Sequence, residues 1–382
     1  GQLYEPGDRR LDAAYTIFYM GVNVGSFAAP LICGFLGDTG NPQDFKWGFL
    51  ASGIMTLFTV VLFETQKNKY LFSPSGEPIG IVPDARREKK EDKAEHISHP
   101  KMDKRTKVRN IIIITALTVA LIAFFSYAFS DDWISVGIFT ACIVFPVLIL
   151  LDGSLTKVER SRIFVIYIVA FFVIFFWAAY EQAGASLTLF ASEQTDRSIF
   201  GWEMPASWFQ SFNPLFVVIL AYIMPGIWGF LNKRNMEPAS PTKQAIGLLL
   251  LSLGYLFICF GVKDAIPGVK VSMIWLTGLY FIHTMGEIAL SPIGLSMVNK
   301  LSPLRFASLM MGIWYLSTAT ANKFAGMLSG LYPEDGKVKS ILGYQIATMY
   351  DFFMLFVIMS GVASLILFLL SKKLQKMMHG VE

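Results

Sequence analysis

Two acids stand where a carboxylate is expensive. Glu181 lies in Phe171-Phe-Val-Ile-Phe-Phe-Trp-Ala-Ala-Tyr-Glu-Gln-Ala-Gly-Ala-Ser-Leu, and Glu287 in Phe281-Ile-His-Thr-Met-Gly-Glu-Ile-Ala-Leu-Ser-Pro-Ile-Gly-Leu. An ionised side chain in such an apolar stretch costs about 2.5–3.5 kcal/mol on insertion scales, so an intramembrane acid is a functional-site hypothesis by default. The plainer reading, an acid satisfied by a neighbouring helix for packing alone, is weakened by there being two of them. Trp177 lies one helical turn before Glu181, and His283 one turn before Glu287, so each pair shares a helix face. An indole wall excludes water and favours the neutral form of an acid, which suits a group that gains and loses a proton. A packing aromatic and a hydrogen-bonded structural histidine are the competing readings of Trp177 and His283.

Other polar residues lie in apolar surroundings. Asn23 and Asn213 are amides that must find partners, either by bridging helices or by touching a solute. Lys323 is a cation well inside its apolar run, expected to be a counterion or to snorkel towards the outer face. Trp314 lies in the same run, and Thr318 follows it at helical spacing. Gly184, Pro214, Pro225, Gly286, Pro292 and Gly294 fall beside these residues and are expected to break helices there. Irregular backbone next to buried polar groups is what a solute pathway looks like. No Gly-x-Ser-x-Gly, His-Glu-x-x-His, P-loop or GxGxxG pattern competes, so an ATP-driven pump or an intramembrane hydrolase has no support.

The elements that must carry these residues follow from composition. The chain of 382 residues is 54% apolar and only 16% charged, with a mean hydropathy of +0.52. That much apolar surface cannot be hidden by a soluble domain, so the chain is read as a polytopic membrane protein in a lipid bilayer. Cys33, Cys142 and Cys259 each lie in an apolar run with no CxxC or His-rich neighbour, so buried thiols are expected rather than a disulfide or a metal site. A net charge of +4 is too small to imply a nucleic-acid partner.

Apolar segments long enough for a bilayer core run near 12–37, 46–64, 110–129, 133–152, 160–190, 208–231, 243–262, 270–297, 306–330 and 347–372. Their patterning predicts ten helices and no strands. Arg9, Arg10, Lys67, Lys69, Arg160, Arg162, Lys233, Arg234, Lys300, Arg305, Lys372, Lys373 and Lys376 fall in alternate loops, which the positive-inside bias makes cytoplasmic. The polar stretch Asp84–Arg109 reads as a solvated cytoplasmic linker near anionic headgroups. The segments on either side of Ser130-Asp131-Asp132 form a helical hairpin.

Several of these stretches together resemble one family. Asp12-Ala-Ala-Tyr-Thr-Ile-Phe-Tyr-Met-Gly-Val-Asn-Val-Gly-Ser-Phe resembles the fifth-helix signature of the proton-dependent oligopeptide transporters of the major facilitator superfamily. Glu181-Gln-Ala-Gly-Ala-Ser-Leu resembles their seventh helix, and Phe209-Gln-Ser-Phe-Asn-Pro-Leu-Phe their eighth. Gly286-Glu-Ile-Ala-Leu-Ser-Pro-Ile-Gly-Leu-Ser resembles the tenth, and Gly312-Ile-Trp-Tyr-Leu the eleventh. The resemblance implies an all-α polytopic membrane protein with the major facilitator superfamily transporter fold. Ten membrane helices are expected, the family's fifth to twelfth plus the inter-domain hairpin of bacterial members. Residues 1–64 would be the last two helices of the N-terminal six-helix half, 65–109 the charged linker, 110–152 the hairpin, and 153–382 the C-terminal six-helix half.

By the same resemblance the function is proton-coupled symport of di- and tripeptides by alternating access, with protons as coupling ion, no cofactor and no enzymatic activity. Glu287, with Asn23 and Asn213, would receive the peptide's amino terminus. Glu181 looks like the acid that the family pairs with an arginine of the first helix. Both acids would take part in proton coupling, and Trp177, Trp314 and Thr318 would line the pocket for peptide side chains. The family's first four helices, with a Glu-x-x-Glu-Arg and a Lys-Pro-Asn element, have no counterpart here, and Gly1-Gln-Leu-Tyr matches the segment after the fourth. The chain is therefore expected to be a fragment of a monomeric inner-membrane transporter whose linker and C-terminus are cytoplasmic. Ala185 stands where many relatives have serine. The alternatives are the same fold carrying nitrate or a small metabolite and, from another class, a channel or a non-transporting receptor.

Overall fold

A computed structural model describes residues 10–72, 76, 103–129, 132–263, 269–334 and 337–380. Arg9, most of the charged linker with His96 and His99, the turn residues Ser130 and Asp131, and part of the loop after Lys263 lie outside the described residues. Eleven α-helices are described: α1 Arg10–Gly37, α2 Phe45–Tyr70, α3 Lys104–Phe129, α4 Trp133–Leu150, α5 Lys157–Tyr180, α6 Ser186–Glu193, α7 Phe212–Asn232, α8 Ser240–Val262, α9 Met273–Leu301, α10 Ala307–Ser329 and α11 Met349–Met377. Nine described helical segments are long and apolar enough to cross a membrane. The expected tenth, α10, has the length, but Ser317, Thr318, Thr320, Asn322 and Lys323 dilute its apolar residues. The expectation of no strands is corrected. Thr195–Asp196 pairs with Val271–Ser272, and Lys339–Ile341 pairs with Tyr344–Ile346, because loop backbone between helices must find partners for its own N–H and C=O groups.

The chain divides into two compact units, one of residues 1–99 and 202–218 and one of residues 100–201 and 219–382. In the first, α1 ends at Gly37 and the turn passes through Gly40 at φ +90°. Asn41 then caps the short helical turn that leads into α2. The two helices cross closely: a Cβ on Gly48 would stand 2.8 Å from the Cys33 carbonyl oxygen. The carbonyls of Phe27 and Leu31, one turn apart on α1, accept from Ser211 Oγ (2.9 Å) and Trp208 Nε1 (3.2 Å). Asn23 is buried and Asn213 half-buried in this unit.

In the second unit α3 and α4 form the expected hairpin. Phe129 stacks on Phe139 at 5.0 Å and Phe125 packs tilted against it at 5.6 Å, and Asn110 Nδ2 donates to the Leu151 carbonyl at 2.7 Å. The remaining helices enclose a core that includes Ile163, Ile166, Val169, Phe176, Leu248, Leu251, Tyr255, Phe352, Phe353 and Phe356. Thr156 with Glu159 and Thr348 with Asp351 form capping boxes that start α5 and α11. Arg162 and Ser161 of α5 donate to the carbonyls of Met378, His379 and Met377, satisfying groups that the end of α11 leaves free. All three cysteines are free thiols. Cys259 is buried as expected, whereas Cys33 and Cys142 are only half-buried, because each helix turns them partly outward.

Lipid is as apolar as leucine, so helices in a membrane associate through close packing and hydrogen bonds rather than hydrophobic burial. Helices α8 and α9 follow that rule along their length. Gly247 and Gly286 each lie against the other's carbonyl, with 2.9 and 2.8 Å left for a Cβ. Gly254 accommodates the His283 ring, Gly278 the Phe257 ring and Gly261 the Trp275 indole. Ser364 Oγ and Ser252 Oγ then join α8 to α11 through the carbonyls of Ala245 and Val357. Gly286→Val is expected to cost about 1–3 kcal/mol by overpacking, and a lower midpoint in thermal unfolding checks it.

Candidate functional site

The Glu181 region is a built break, not a kinked helix. Helix α5 ends at Tyr180, Glu181–Gly184 forms a tighter turn, and α6 restarts at Ser186 after Ala185 in an irregular conformation. Three carbonyls around the break accept from side chains. Gln182 Nε2 reaches the Ala178 carbonyl (3.1 Å), Tyr255 Oη the Ala179 carbonyl (2.7 Å) and Thr188 Oγ1 the Ala183 carbonyl (2.7 Å). The break expected at Gly184 is therefore present. Those expected at Pro214, Pro225, Gly286, Pro292 and Gly294 are not, since α7 and α9 run through them. Pro214 falls in the first turn of α7, where its missing N–H is not needed, and Gly286 and Gly294 supply room for neighbouring helices rather than breaks.

Glu287, on α9, accepts a 2.5 Å hydrogen bond from Tyr180 Oη, and Tyr180 is the residue immediately before Glu181. Two acids far apart in the sequence are thus brought to the same end of α5. Trp177 packs edge-on against Tyr180, with ring centroids 5.3 Å apart, and Tyr180 stacks on Phe176. The indole therefore walls the tyrosine that holds Glu287. His283 is turned towards α8: its Nε2 is 3.2 Å from the Leu251 carbonyl, and its ring lies 4.8 Å from that of Tyr255. That geometry belongs to the structural reading of the histidine.

Trp314 is only 5% exposed. Its ring occupies the space beside Gly294, where a Cβ would stand 2.4 Å from Cζ2. Gln244, behind it, donates to the Leu290 carbonyl at 2.9 Å. Thr318 is half-buried one turn further along α10. Lys323 forms a 2.5 Å ion pair with Asp132, the residue that starts α4. Among the described residues no group of three or more His, Cys, Asp or Glu could hold a metal. Sequence reasoning missed Tyr180, Gln182, Tyr255 and Gln244. Their signal was available as polar groups inside apolar runs that had to be satisfied. Tyr180→Phe should cost about 1.5–3 kcal/mol, the range for a hydrogen bond to a charged group, and lower the thermal midpoint of the substrate-free protein.

A family model described as POT family, PTR2, matches residues 1–349. The chain belongs to the POT family. This POT chain is 31% identical over 340 residues to the peptide transporter YePEPT of Yersinia enterocolitica, covering 86% of this chain and 63% of that relative. It is 28% identical to a di-/tripeptide transporter of Lactococcus lactis subsp. cremoris, over 100% of this chain and 72% of the relative. Among solved structures it is similar to the peptide transporter POT in complex with alafosfalin. The TM-score is 0.76 at 29% identity, over 99% of this chain and 70% of that one. The chain thus spans less than two thirds of the length of the Yersinia relative. Its POT membership and its helices make it a multi-pass membrane protein with a major facilitator superfamily fold, and POT proteins are transporters rather than enzymes.

Proposed function

We propose that this chain is part of a proton-coupled symporter that imports di- and tripeptides by alternating access. The observation that carries the reading is the Tyr180–Glu287 hydrogen bond, which brings Glu287 beside the turn that begins at Glu181. Like charges in an apolar bundle repel, and the repulsion is relieved by a proton on one carboxylate or a cation on the other. A peptide ammonium meets Glu287 with a full charge and forms a stronger bond than a neutral hydroxyl can. Proton and peptide are then linked, because each neutralises one member of a repelling pair. The relatives' names support peptide as the cargo.

Glu181 is assigned to proton coupling and Glu287 to both proton coupling and the peptide's amino terminus. Asn23 and Asn213 are assigned to the peptide as amide contacts, and Trp177, Trp314 and Thr318 to its side chains. The chain is placed in the inner (plasma) membrane as a monomer, with residues 65–109 and the C-terminus cytoplasmic. Residues 1–64 are assigned to the N-terminal half, 110–152 to the hairpin and 153–382 to the C-terminal half. The test is uptake of labelled dialanine in the native membrane under an imposed inward proton gradient. Saturable, gradient-dependent accumulation is expected. Gradient-independent, non-saturable flux would assign the protein to a channel instead, and competition by nitrate but not by dialanine would assign it another solute.

A further inference from the structure

The turn that holds Glu181 is fastened to α10, and α10 is fastened to the hairpin. Gln182 is fully buried; its Nε2 donates to the Ala325 carbonyl on α10 at 3.0 Å, and its Oε1 accepts from Ser186 Oγ at 2.6 Å. One side chain therefore joins the turn, the start of α6 and α10. Lys323 lies two residues before Ala325, which places it on roughly the opposite face of the same helix. There its Nζ meets Asp132 at 2.5 Å.

Asp132 is itself fixed in place. Its carboxylate accepts from Ser135 N (3.1 Å) and Ser135 Oγ (2.8 Å), capping α4. The Lys323 ammonium, with Ser135, holds the carboxyl down at about 2. The hairpin behind it is tied at its other end through Asn110 and Leu151 and packed by the Phe125, Phe129 and Phe139 rings. It is a two-helix arm joined to α10 through Asp132. Side chains of the ion pair are 32% and 35% exposed, and an ion pair so accessible to solvent adds little to stability. Its consequence is geometric.

We propose that Asp132 and Lys323 are positioning residues for Glu181: the hairpin braces α10, and α10 sets the Glu181 turn through Ala325 and Gln182. The role rests on the transport reading given above, while the brace itself is a property of the fold. Contiguous hydrogen bonds and one rigid helix are the physical link, and only coupling measurements establish such a link.

Two readouts keep the brace and the transport reading apart. Amide hydrogen exchange over Glu181–Ser186 reports the turn with no transport required. In Asp132→Asn and Lys323→Gln, exchange there should rise about fivefold, with α8 and α9 unchanged. Lys323→Arg, which keeps the cation opposite Asp132 and leaves the Asp132 cap of α4 untouched, should stay within about twofold of wild type. In the native membrane the single variants should lose proton-driven dialanine accumulation about fivefold while counterflow stays within about twofold. Adding Asp132→Asn to Gln182→Ala should cause no further loss, as expected of residues in one chain of contacts. Unchanged exchange at the turn in both single variants would overturn the brace, as would effects of Asp132→Asn and Gln182→Ala that simply multiply. A wild-type protein that fails to accumulate dialanine, with the exchange changes intact, would overturn the transport reading alone.

Discussion

Replacing Glu181 with glutamine should abolish accumulation of peptide against its gradient while leaving counterflow exchange in place. Glutamine keeps the size and hydrogen-bonding shape of a protonated glutamate but cannot release a proton. The turn keeps other ties without the carboxylate, because three carbonyls around it are held by Gln182, Tyr255 and Thr188. Folding should therefore survive, and peptide should still exchange across the membrane. What is lost is the driving force. One charge moving through a potential of roughly 100 mV is worth about 2.3 kcal/mol, or about fiftyfold in concentration, and the variant should show none of it. The measurement is labelled dialanine inside vesicles at steady state, with and without the gradient. Accumulation equal to wild type would remove Glu181 from the coupling mechanism.

The second large effect is expected at Glu287. Glu287→Ala removes the partner of the peptide ammonium and also leaves the Tyr180 hydroxyl without the acceptor it has at 2.5 Å. Loss of a hydrogen bond to a charged group costs about 1.5–3 kcal/mol, which is about tenfold to 150-fold in affinity. The loss should be selective: dialanine should weaken by that amount, and N-acetyl-dialanine, which carries no ammonium, should bind wild type and variant alike. Competition binding with the two ligands decides it. Wild-type protein that binds both peptides equally would show that the carboxylate does not read the amino terminus.

How much of this was legible in the sequence varies residue by residue. Glu181 and Glu287 were visible because an acid in an apolar run is conspicuous whatever surrounds it. Lys323 was visible for the same reason, and its reading as a counterion is met by Asp132, although that acid read only as part of a hairpin turn. Tyr180 and Gln182 were not seen. Their partners, Glu287 and Ala325, lie 107 and 143 positions away, and a pairing at that range leaves no periodicity in the chain. Gly286 and Gly294 misled for a related reason. Glycine signals either a break or a close approach, and only the neighbour that fills the space, α8 beside Gly286 and Trp314 beside Gly294, tells the two apart. Helix α10 is less apolar than the nine described segments that could span a membrane because a helix lined by other helices can carry hydroxyls, an amide and a lysine that a lipid-facing helix cannot.

The glycines along α8 and α9 also limit how this part of the molecule can move. Gly247 faces Gly286, Gly254 faces His283, Phe257 faces Gly278 and Gly261 faces Trp275, so each small residue is matched to one opposite number. Sliding one helix past the other by a turn, about 5.4 Å, would drive a ring into a backbone at several points at once. The two helices are therefore keyed together like teeth of unequal depth, and any rearrangement of the unit must carry them as a single plank, with its bending taken up by other helices.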